Sequence, residues 1–325
     1  MKAFQYDNPK DGLQLRDMPI PEPGPSHVQL QVKAVGMCHS DCHIVKGEKD
    51  DWLTRKPTTL GHEVAGVITK VGSDVTEYCP GDRVTVSLVG YPIEERNWPE
   101  CIGIGYDGGY AEYAVAPVRR LLRIPDSVSF AQAAVATDAL ATSYHAVVVE
   151  AGAKPGVVIG VIGLGGLGLS GLTFGILKGA TVYGFDVVEA KLKDARDLGA
   201  RACFLSLDEA KDVAFDVIVD FAGTGSTTQA AIQAVKGGGR VVVVGLGTEM
   251  ISVPSSALVL HTKTLVGSVG ASAEDLNNVF KLLQEGRLSP LLIEVPFTDI
   301  PASINSLAKG GVNGRLWADP SKVSR

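Results

Sequence analysis

Val161-Ile162-Gly163-Leu164-Gly165-Gly166-Leu167-Gly168 decides how the middle of this 325-residue chain is read. A short apolar run, Val157–Val161, leads into it, and a stretch of helical spacing continues to Lys178. Gly163, Gly165 and Gly168 carry the spacing G-x-G-x-x-G, with Gly166 and Leu167 opening the helix. In such a strand–turn–helix the first glycine allows the tight turn and the second lets the backbone approach a pyrophosphate. The third lets helix and strand pack closely, and the helix N-terminus offers free N–H groups to the anion. The motif alone is weak in a chain with 38 glycines, and its context gives it weight. A second strand, Thr181–Phe185, ends at Asp186, about twenty residues further on, where such a site places an acid. A carboxylate there can accept from both adenosine ribose hydroxyls and would repel a 2′-phosphate. No arginine follows it closely, so NAD is expected rather than NADP, and Lys191 stands one helical turn beyond, within reach of the ribose. The other reading of Asp186 is a cap on the helix that begins near Glu189.

Outward from this motif the strand–helix rhythm continues. Glu189–Leu198 has helical spacing, Val217–Val219 and Val241–Val244 are buried apolar runs, and Thr227–Val235 is helix-like between them. Alternation every twenty-odd residues predicts a doubly wound parallel sheet over residues 140–269. Residues 1–139 read differently. Val28–Val35 alternates at period two, Val64–Val71 and Arg83–Leu88 resemble it, and glycine and proline punctuate the rest. That pattern predicts a mostly β domain, with function on its loops. The tail, 270–325, returns to it with one amphipathic helix, Ala273–Glu285, and strand-like ends at Ile293–Phe297 and Arg315–Trp317. The fold class is α/β in two domains.

Composition narrows the function. Hydrophobic residues make up 45% and charged residues 20%, enough for sizeable cores and unlike a disordered or fibrous chain. A net charge of −6 argues against nucleic acid and anionic membranes as partners. No apolar stretch reaches the ~18–20 residues of a membrane span. The N-terminus lacks a signal-peptide core. Five cysteines at irregular spacing suggest no disulfide framework, and a cytoplasmic location is the expectation.

A second group of residues has the chemistry of a metal site. Gly36-Met37-Cys38-His39-Ser40-Asp41-Cys42-His43 gathers thiols, imidazoles, a hydroxyl and an acid directly after a strand. Gly61-His62-Glu63 stands before another strand, and Asp138 lies where the two domains are expected to meet in sequence. Each has an ordinary reading as well: a hydrogen-bonded histidine, a helix-capping aspartate, and a cysteine pair that makes no zinc finger. Spacing alone leaves both readings open.

Taken in order, Cys38-His39-Ser40-Asp41, Gly61-His62-Glu63, Gly81-Asp82-Arg83-Val84, Asp107-Gly108-Gly109-Tyr110-Ala111-Glu112-Tyr113, the glycine motif and Gly238-Gly239-Arg240 resemble the medium-chain dehydrogenase/reductase superfamily. The resemblance spans nearly the whole chain and points to the zinc-dependent alcohol dehydrogenases. It implies a GroES-like catalytic domain (1–139 and 270–325), a Rossmann domain (140–269), and one catalytic zinc held by Cys38, His62 and Asp138. Asp138 stands where cysteine is common, inside Asp138-Ala139-Leu140-Ala141-Thr142-Ser143-Tyr144-His145. A harder oxygen donor there suits Lewis-acid chemistry. Glu63 is implied as an alternate ligand, and Asp41 as the carboxylate that orients the ligating histidine. Ser40 and His43 are implied as a proton relay through the cofactor ribose, and Arg315 as a contact of the pyrophosphate, or else a surface salt bridge.

One departure stands out. Relatives often carry four close cysteines for a structural zinc, whereas Ser87–Gly105 is short and holds only Cys101, so no structural zinc is expected. Trp52, Leu88, Tyr91 and Trp98 could line the substrate entrance or simply pack. The implied reaction interconverts a small-molecule alcohol and its carbonyl with NAD. Two alternatives stay open: a double-bond reductase of the same superfamily, zinc-containing or metal-free, and a non-catalytic cofactor-binding protein. The resemblance also implies a homo-oligomer, dimer or tetramer, with Thr264–Val269 as a candidate contact.

Overall fold

The computed structural model describes residues 1–310 and 312–323. The chain divides into two units, Met1–Ala139 with Ala271–Arg325, and Leu140–Gly270. Along the first segment run β1 (Lys2–Tyr6), β2 (Leu13–Asp17), β3 (His27–Gly36), α1 (His39–Val45), β4 (Thr58–Thr59), β5 (Glu63–Val71), β6 (Arg83–Val86), β7 (Tyr113–Pro117), β8 (Leu121–Arg123) and α2 (Phe130–Val135). The second unit contributes α3 (Ala141–Tyr144), β9 (Val158–Ile162), α4 (Gly166–Leu177), β10 (Thr181–Phe185), α5 (Glu189–Asp197) and β11 (Ala202–Phe204). It continues through β12 (Phe215–Asp220), α6 (Ser226–Ala234), β13 (Val235–Val243), α7 (Ser255–Val259) and β14 (Thr264–Gly267). The chain then returns with α8 (Ala273–Gln284), β15 (Leu292–Glu294), α9 (Ile300–Ala308) and β16 (Arg315–Ala318).

The first unit is built on a seven-stranded sheet ordered β15-β16-β3-β5-β6-β8, with β7 also on β3. Strand β3 is long because its inward residues Val28, Leu30, Val32 and Val35 supply the core of this unit. Its antiparallel register with β5 sets Val35 opposite Val64 and Gly36 opposite Glu63. That register brings the cysteine-rich segment after β3 to the histidine segment before β5. A small sheet, β2-β1-β4, was not predicted; its strands are short, and their partners come partly from residues 58–59. Helix α9 was also unexpected, although Ile300, Ile304 and Leu307 bury one face at helical spacing.

The second unit holds the predicted parallel sheet, ordered β11-β10-β9-β12-β13-β14. Strand β9 is apolar on both faces, as a strand covered on both sides should be. The strand order reverses between β9 and β12, the place where open α/β sheets bind ligands. Helix α4 rests closely on this sheet because it is glycine-rich: a Cβ on Gly175 would come within 2.8 Å of Val182. Strand β13 begins at Val235, earlier than its apolar run at Val241, and its pairing with β12 shifts register on the way.

Beside the reversal, Asp220 ends β12 with no exposure to solvent. Its carboxylate accepts the backbone N–H groups of Ala222 and Gly223 at 3.0 and 2.9 Å, and the hydroxyls of Thr227 and Thr228 at 2.7 Å each. This one side chain therefore fixes the turn from β12 into α6. Replacing it by alanine would strand two N–H groups and two hydroxyls at a buried turn. Asp220→Ala is expected to cost about 3–5 kcal/mol. Differential scanning calorimetry should show a fall in Tm on the order of 10 °C.

Candidate active site

Cys38 is the extended residue that caps α1, directly after β3. Asp41, in the first turn of that helix, turns its carboxylate back, and Oδ2 accepts the Cys38 N–H at 3.0 Å. The same oxygen accepts the Tyr110 hydroxyl at 2.8 Å, while Oδ1 faces His62 Nδ1 at 3.5 Å. His62 and Glu63 enter β5 after Gly61, whose φ of +91° is open to glycine at little cost. Asp138 sits in a π-helical turn, Ala136–Leu140, and its Oδ2 lies 3.6 Å from His62 Nε2. Such turns insert a residue into a helix and re-aim side chains, and they recur at functional sites.

The result is a cluster. Cys38 Sγ, a ring nitrogen of His62 and carboxylate oxygens of Glu63 and Asp138 all lie within 4.8 Å of one another. Among the described residues it is the one such group of donors. Glu63 is fully buried, and its Oε2 has no hydrogen-bond partner. A Cβ on Gly36 would fall 1.8 Å from that oxygen, so only glycine leaves Glu63 its space. The other oxygen of Glu63 pairs with Arg315, from β16.

Burial and mutual charge set the protonation chemistry. Burial raises the Cys38 thiol pKa, and the neighbouring Asp138 charge adds to this. Burial alone would lower that of His62, but Asp41 and Asp138 reverse the effect and raise it well above the ordinary value. Glu63 is pushed up to about 8 by burial, despite Arg315 beside it. Burial opposes ionisation of Asp138 too, yet its contact with His62 holds it well below the usual carboxylate range. Burial also raises the Tyr110 phenol, and Asp41 raises it further, so Tyr110 remains a hydrogen-bond donor. A soft thiol, an imidazole and two carboxyl groups, three of them able to ionise negatively and with one oxygen unpartnered, fit a divalent cation of the zinc type.

The neighbouring residues fall into place around this set. Ser40 Oγ is 3.6 Å from Cys38 Sγ. His43 stands one turn along α1, and its Nδ1 is 2.7 Å from Glu48 Oε2. Arg315 differs from the surface salt bridge weighed from sequence: it is 5% exposed and pairs with Glu63 through one nitrogen, because β16 lies beside β3 inside the sheet. Trp52 and Leu88 are half-buried against the core of this unit. Tyr91 and Trp98 instead flank Arg96, whose guanidinium lies 5.2 and 5.9 Å from their ring centres. Gly36, Glu48 and Tyr110 are the members that sequence reasoning left without a role. The partners of Gly36 and Tyr110 are fixed by strand register and tertiary packing, whereas Glu48 meets His43 five residues before it.

The second unit holds the other predicted residues. Gly163 has φ +83°, and a Cβ there would meet Ala222 N at 2.9 Å. On Gly168 it would fall 1.8 Å from Gly163 O, whereas on Gly165 it would project into open space. The second glycine thus faces the side from which a ligand can approach, with Gly166 and Leu167 opening α4 behind it. Asp186 Oδ2 accepts the Leu164 N–H at 2.8 Å and lies 3.5 Å from Lys191 Nζ; Oδ1 accepts the Val188 N–H at 3.0 Å. The carboxylate therefore ties the glycine turn to the start of α5. A cavity of about 360 Å³ opens here, lined by Gly163, Asp186, Ser206, Thr224 and Thr227 among others.

Comparison with known proteins identifies the family and the fold. Residues 24–126 match the alcohol dehydrogenase GroES-like domain, and residues 166–285 match the zinc-binding dehydrogenase domain. An alcohol dehydrogenase of Geobacillus stearothermophilus is 32% identical, over 97% of this chain and 98% of its own. The acetophenone reductase of Geotrichum candidum, solved in complex with NAD, superposes with a TM-score of 0.90 at 31% identity, covering 99% of this chain and 98% of that one. A cobalt- and zinc-bound alcohol dehydrogenase from Pyrobaculum aerophilum gives 0.86 at 28% identity, covering 98% and 99%. The fold is that of a two-unit oxidoreductase with an NAD-binding, Rossmann-like unit. The chain belongs to the zinc-dependent alcohol dehydrogenase family of the medium-chain dehydrogenases/reductases.

The Glu63–Arg315 pair can be tested by itself. Arg315→Met removes the group that draws Glu63 toward ionisation, so the Glu63 carboxyl should stay neutral, and loss of the buried hydrogen bond should cost about 1–3 kcal/mol in urea unfolding. Adding Glu63→Gln to that variant should change stability little further, because the side chain at position 63 is then neutral in both variants.

Proposed function

We propose that this protein is an NAD-linked alcohol dehydrogenase that holds one catalytic zinc per chain and no structural one. In this reading it interconverts a primary or secondary alcohol and its carbonyl by hydride transfer. The observation that carries the reading is the convergence of Cys38, His62, Glu63 and Asp138. Cys38, His62 and Asp138 are the proposed ligands, and Glu63 is the alternate ligand, held in reserve by Arg315. A thiolate, a carboxylate and a neutral imidazole together balance the charge of Zn²⁺.

When bound, zinc supplies a Lewis acid for the substrate oxygen and NAD supplies the hydride acceptor. Ser40 Oγ, beside Cys38 Sγ, is placed to take the alcohol proton. His43 holds a proton on the more exposed side of α1; Glu48 engages its Nδ1, which leaves Nε2 to accept. Asp41 keeps the His62 ring turned with Nε2 toward Asp138. Gly163, Gly165, Gly166, Leu167 and Gly168 are assigned to the pyrophosphate, and Asp186 with Lys191 to the ribose. Arg315 is assigned to Glu63, and its contact with the pyrophosphate is kept as part of the reading, because the pair with Glu63 engages one nitrogen of the guanidinium and leaves Nε without a partner.

Two features support the single zinc and the assembly. Residues 90–100 are held by Arg96 stacking on Tyr91 and Trp98, and by Arg119 and Arg120 donating to Glu100. A homo-oligomer, dimer or tetramer, is proposed on the edge strand β14, next in the chain after the exposed Val259 and Leu260. Five free cysteines suit a reducing, cytoplasmic setting. No described helix is long and apolar enough to cross a membrane.

Elemental analysis of purified protein should find close to one zinc per chain. Chelation should abolish alcohol-dependent NAD reduction, and added zinc should restore it. Asp138→Ala should lower kcat/KM by roughly a thousand-fold or more, as expected when a Lewis acid worth several kcal/mol is lost. Near-zero zinc with reduction of conjugated double bonds would favour the double-bond reductase instead. NAD binding without turnover of either substrate class would favour a non-catalytic protein.

A further inference from the structure

We propose that Tyr110 is a positioning residue of the metal centre, acting through Asp41 on His62. This rests on the zinc reading above and extends it one residue outward. The argument begins with Asp41, whose two oxygens have different duties. Oδ2 accepts two hydrogen bonds, from the Cys38 N–H at 3.0 Å and the Tyr110 hydroxyl at 2.8 Å. Two donors on one oxygen fix the plane of the carboxylate, and that plane aims Oδ1 at His62 Nδ1, 3.5 Å away. Without the Tyr110 hydroxyl, the carboxylate keeps one anchor and can rotate about its side chain.

Tyr110 is itself held without play. It is completely buried, and its ring occupies the space beside Gly61, where an added Cβ would come within 2.6 Å. Its N–H donates to Leu60 O at 3.0 Å, and the Gly109 N–H donates to Gly61 O at 2.7 Å. The segment that carries Tyr110 is thus bonded to the two residues before His62. One residue therefore braces His62 twice, through the backbone leading into it and through the carboxylate behind its ring. Groups that orient a metal-bound histidine typically contribute 10–100-fold in metal affinity. Removing one of two anchors on such a group is expected to have an effect near the lower end of that range.

The test is the zinc dissociation constant of Tyr110→Phe, measured by competition with a chromophoric chelator. Zinc should be held about ten-fold more weakly than in the wild type, and the visible spectrum of the cobalt-substituted protein should change. Tyr106→Phe is the control, because Tyr106 also has a buried hydroxyl but one without a hydrogen-bond partner. It should leave zinc affinity unchanged. Combined with Asp41→Asn, Tyr110→Phe should add little further loss, since both act along one path. Unchanged affinity in Tyr110→Phe, or an undiminished effect on the Asp41→Asn background, overturns the proposal. If Tyr110→Phe does not fold, 3-fluorotyrosine introduced at position 110 keeps a donor there; affinity falling ten-fold with it would also overturn the proposal. Failure of the wild type to bind zinc would instead refute the underlying metal reading.

Discussion

The gathering of buried acidic groups around one imidazole is the constraint on which the first unit's candidate site depends. Asp41, Asp138, Glu63 and the Cys38 thiol converge on His62, and Arg315 supplies the nearby guanidinium. Removing charges from water costs several kcal/mol per ion, so the arrangement persists only if each group is held where a counter-charge can reach it. The shifted protonation states are the visible consequence. Asp138 stays ionised and His62 is drawn toward protonation, while Glu63 resists ionisation although a guanidinium touches it. A divalent cation in their midst would hold Asp138 ionised and reverse the tendencies of His62 and Glu63, favouring thiolate, carboxylate and neutral imidazole at once.

The second unit solves a different problem with the same means. Its ligand-facing turn must present backbone N–H groups, so side-chain carboxylates position the loops from behind. Asp220 fixes the turn after β12, and Asp186 ties the glycine turn to α5. The choice between ribose ligand and local cap, posed from sequence for Asp186, is not exclusive. Each of its oxygens accepts one backbone N–H, and a carboxylate has about four acceptor sites, so capacity remains for hydroxyls from the cavity.

What could be read from the sequence follows the range of the interactions involved. The glycine turn, the alternation of β3 and the amphipathic face of α8 are local patterns, and the structure places those elements within a few residues of their expected bounds. The proposed metal donors are not local. Cys38, His62 and Asp138 have no regular spacing, and they could be grouped only because the order of several motifs resembles a family. Pairings that depend on register or on the returning tail were not readable. Arg315 and Glu63 are 252 residues apart, and Tyr110 and Asp41 are 69 apart. Gly314-Arg315-Leu316 reads as a strand end, but nothing in it says that the strand will lie beside β3 rather than at a surface.

That returning tail links the chain's end to chemistry that begins near its start. Helix α1 has seven residues and carries Ser40, Asp41 and His43, yet an isolated helix of that length is not stable in water. Its order has to come from what its other face packs against. Cys42 and Ile44 are buried, and the Cys42 thiol lies 3.4 Å from the carbonyl of Ile304, on α9. Burial also pushes the Cys42 thiol up to about 12, so it stays protonated and acts as a small packing group rather than a nucleophile. Two elements of the tail therefore support the site: α9 orders the helix that bears Ser40, Asp41 and His43, and β16 delivers the guanidinium that holds Glu63. The inserted parallel-sheet unit separates these elements from α1 in sequence, and the sheet pairing of β16 with β3 brings them back.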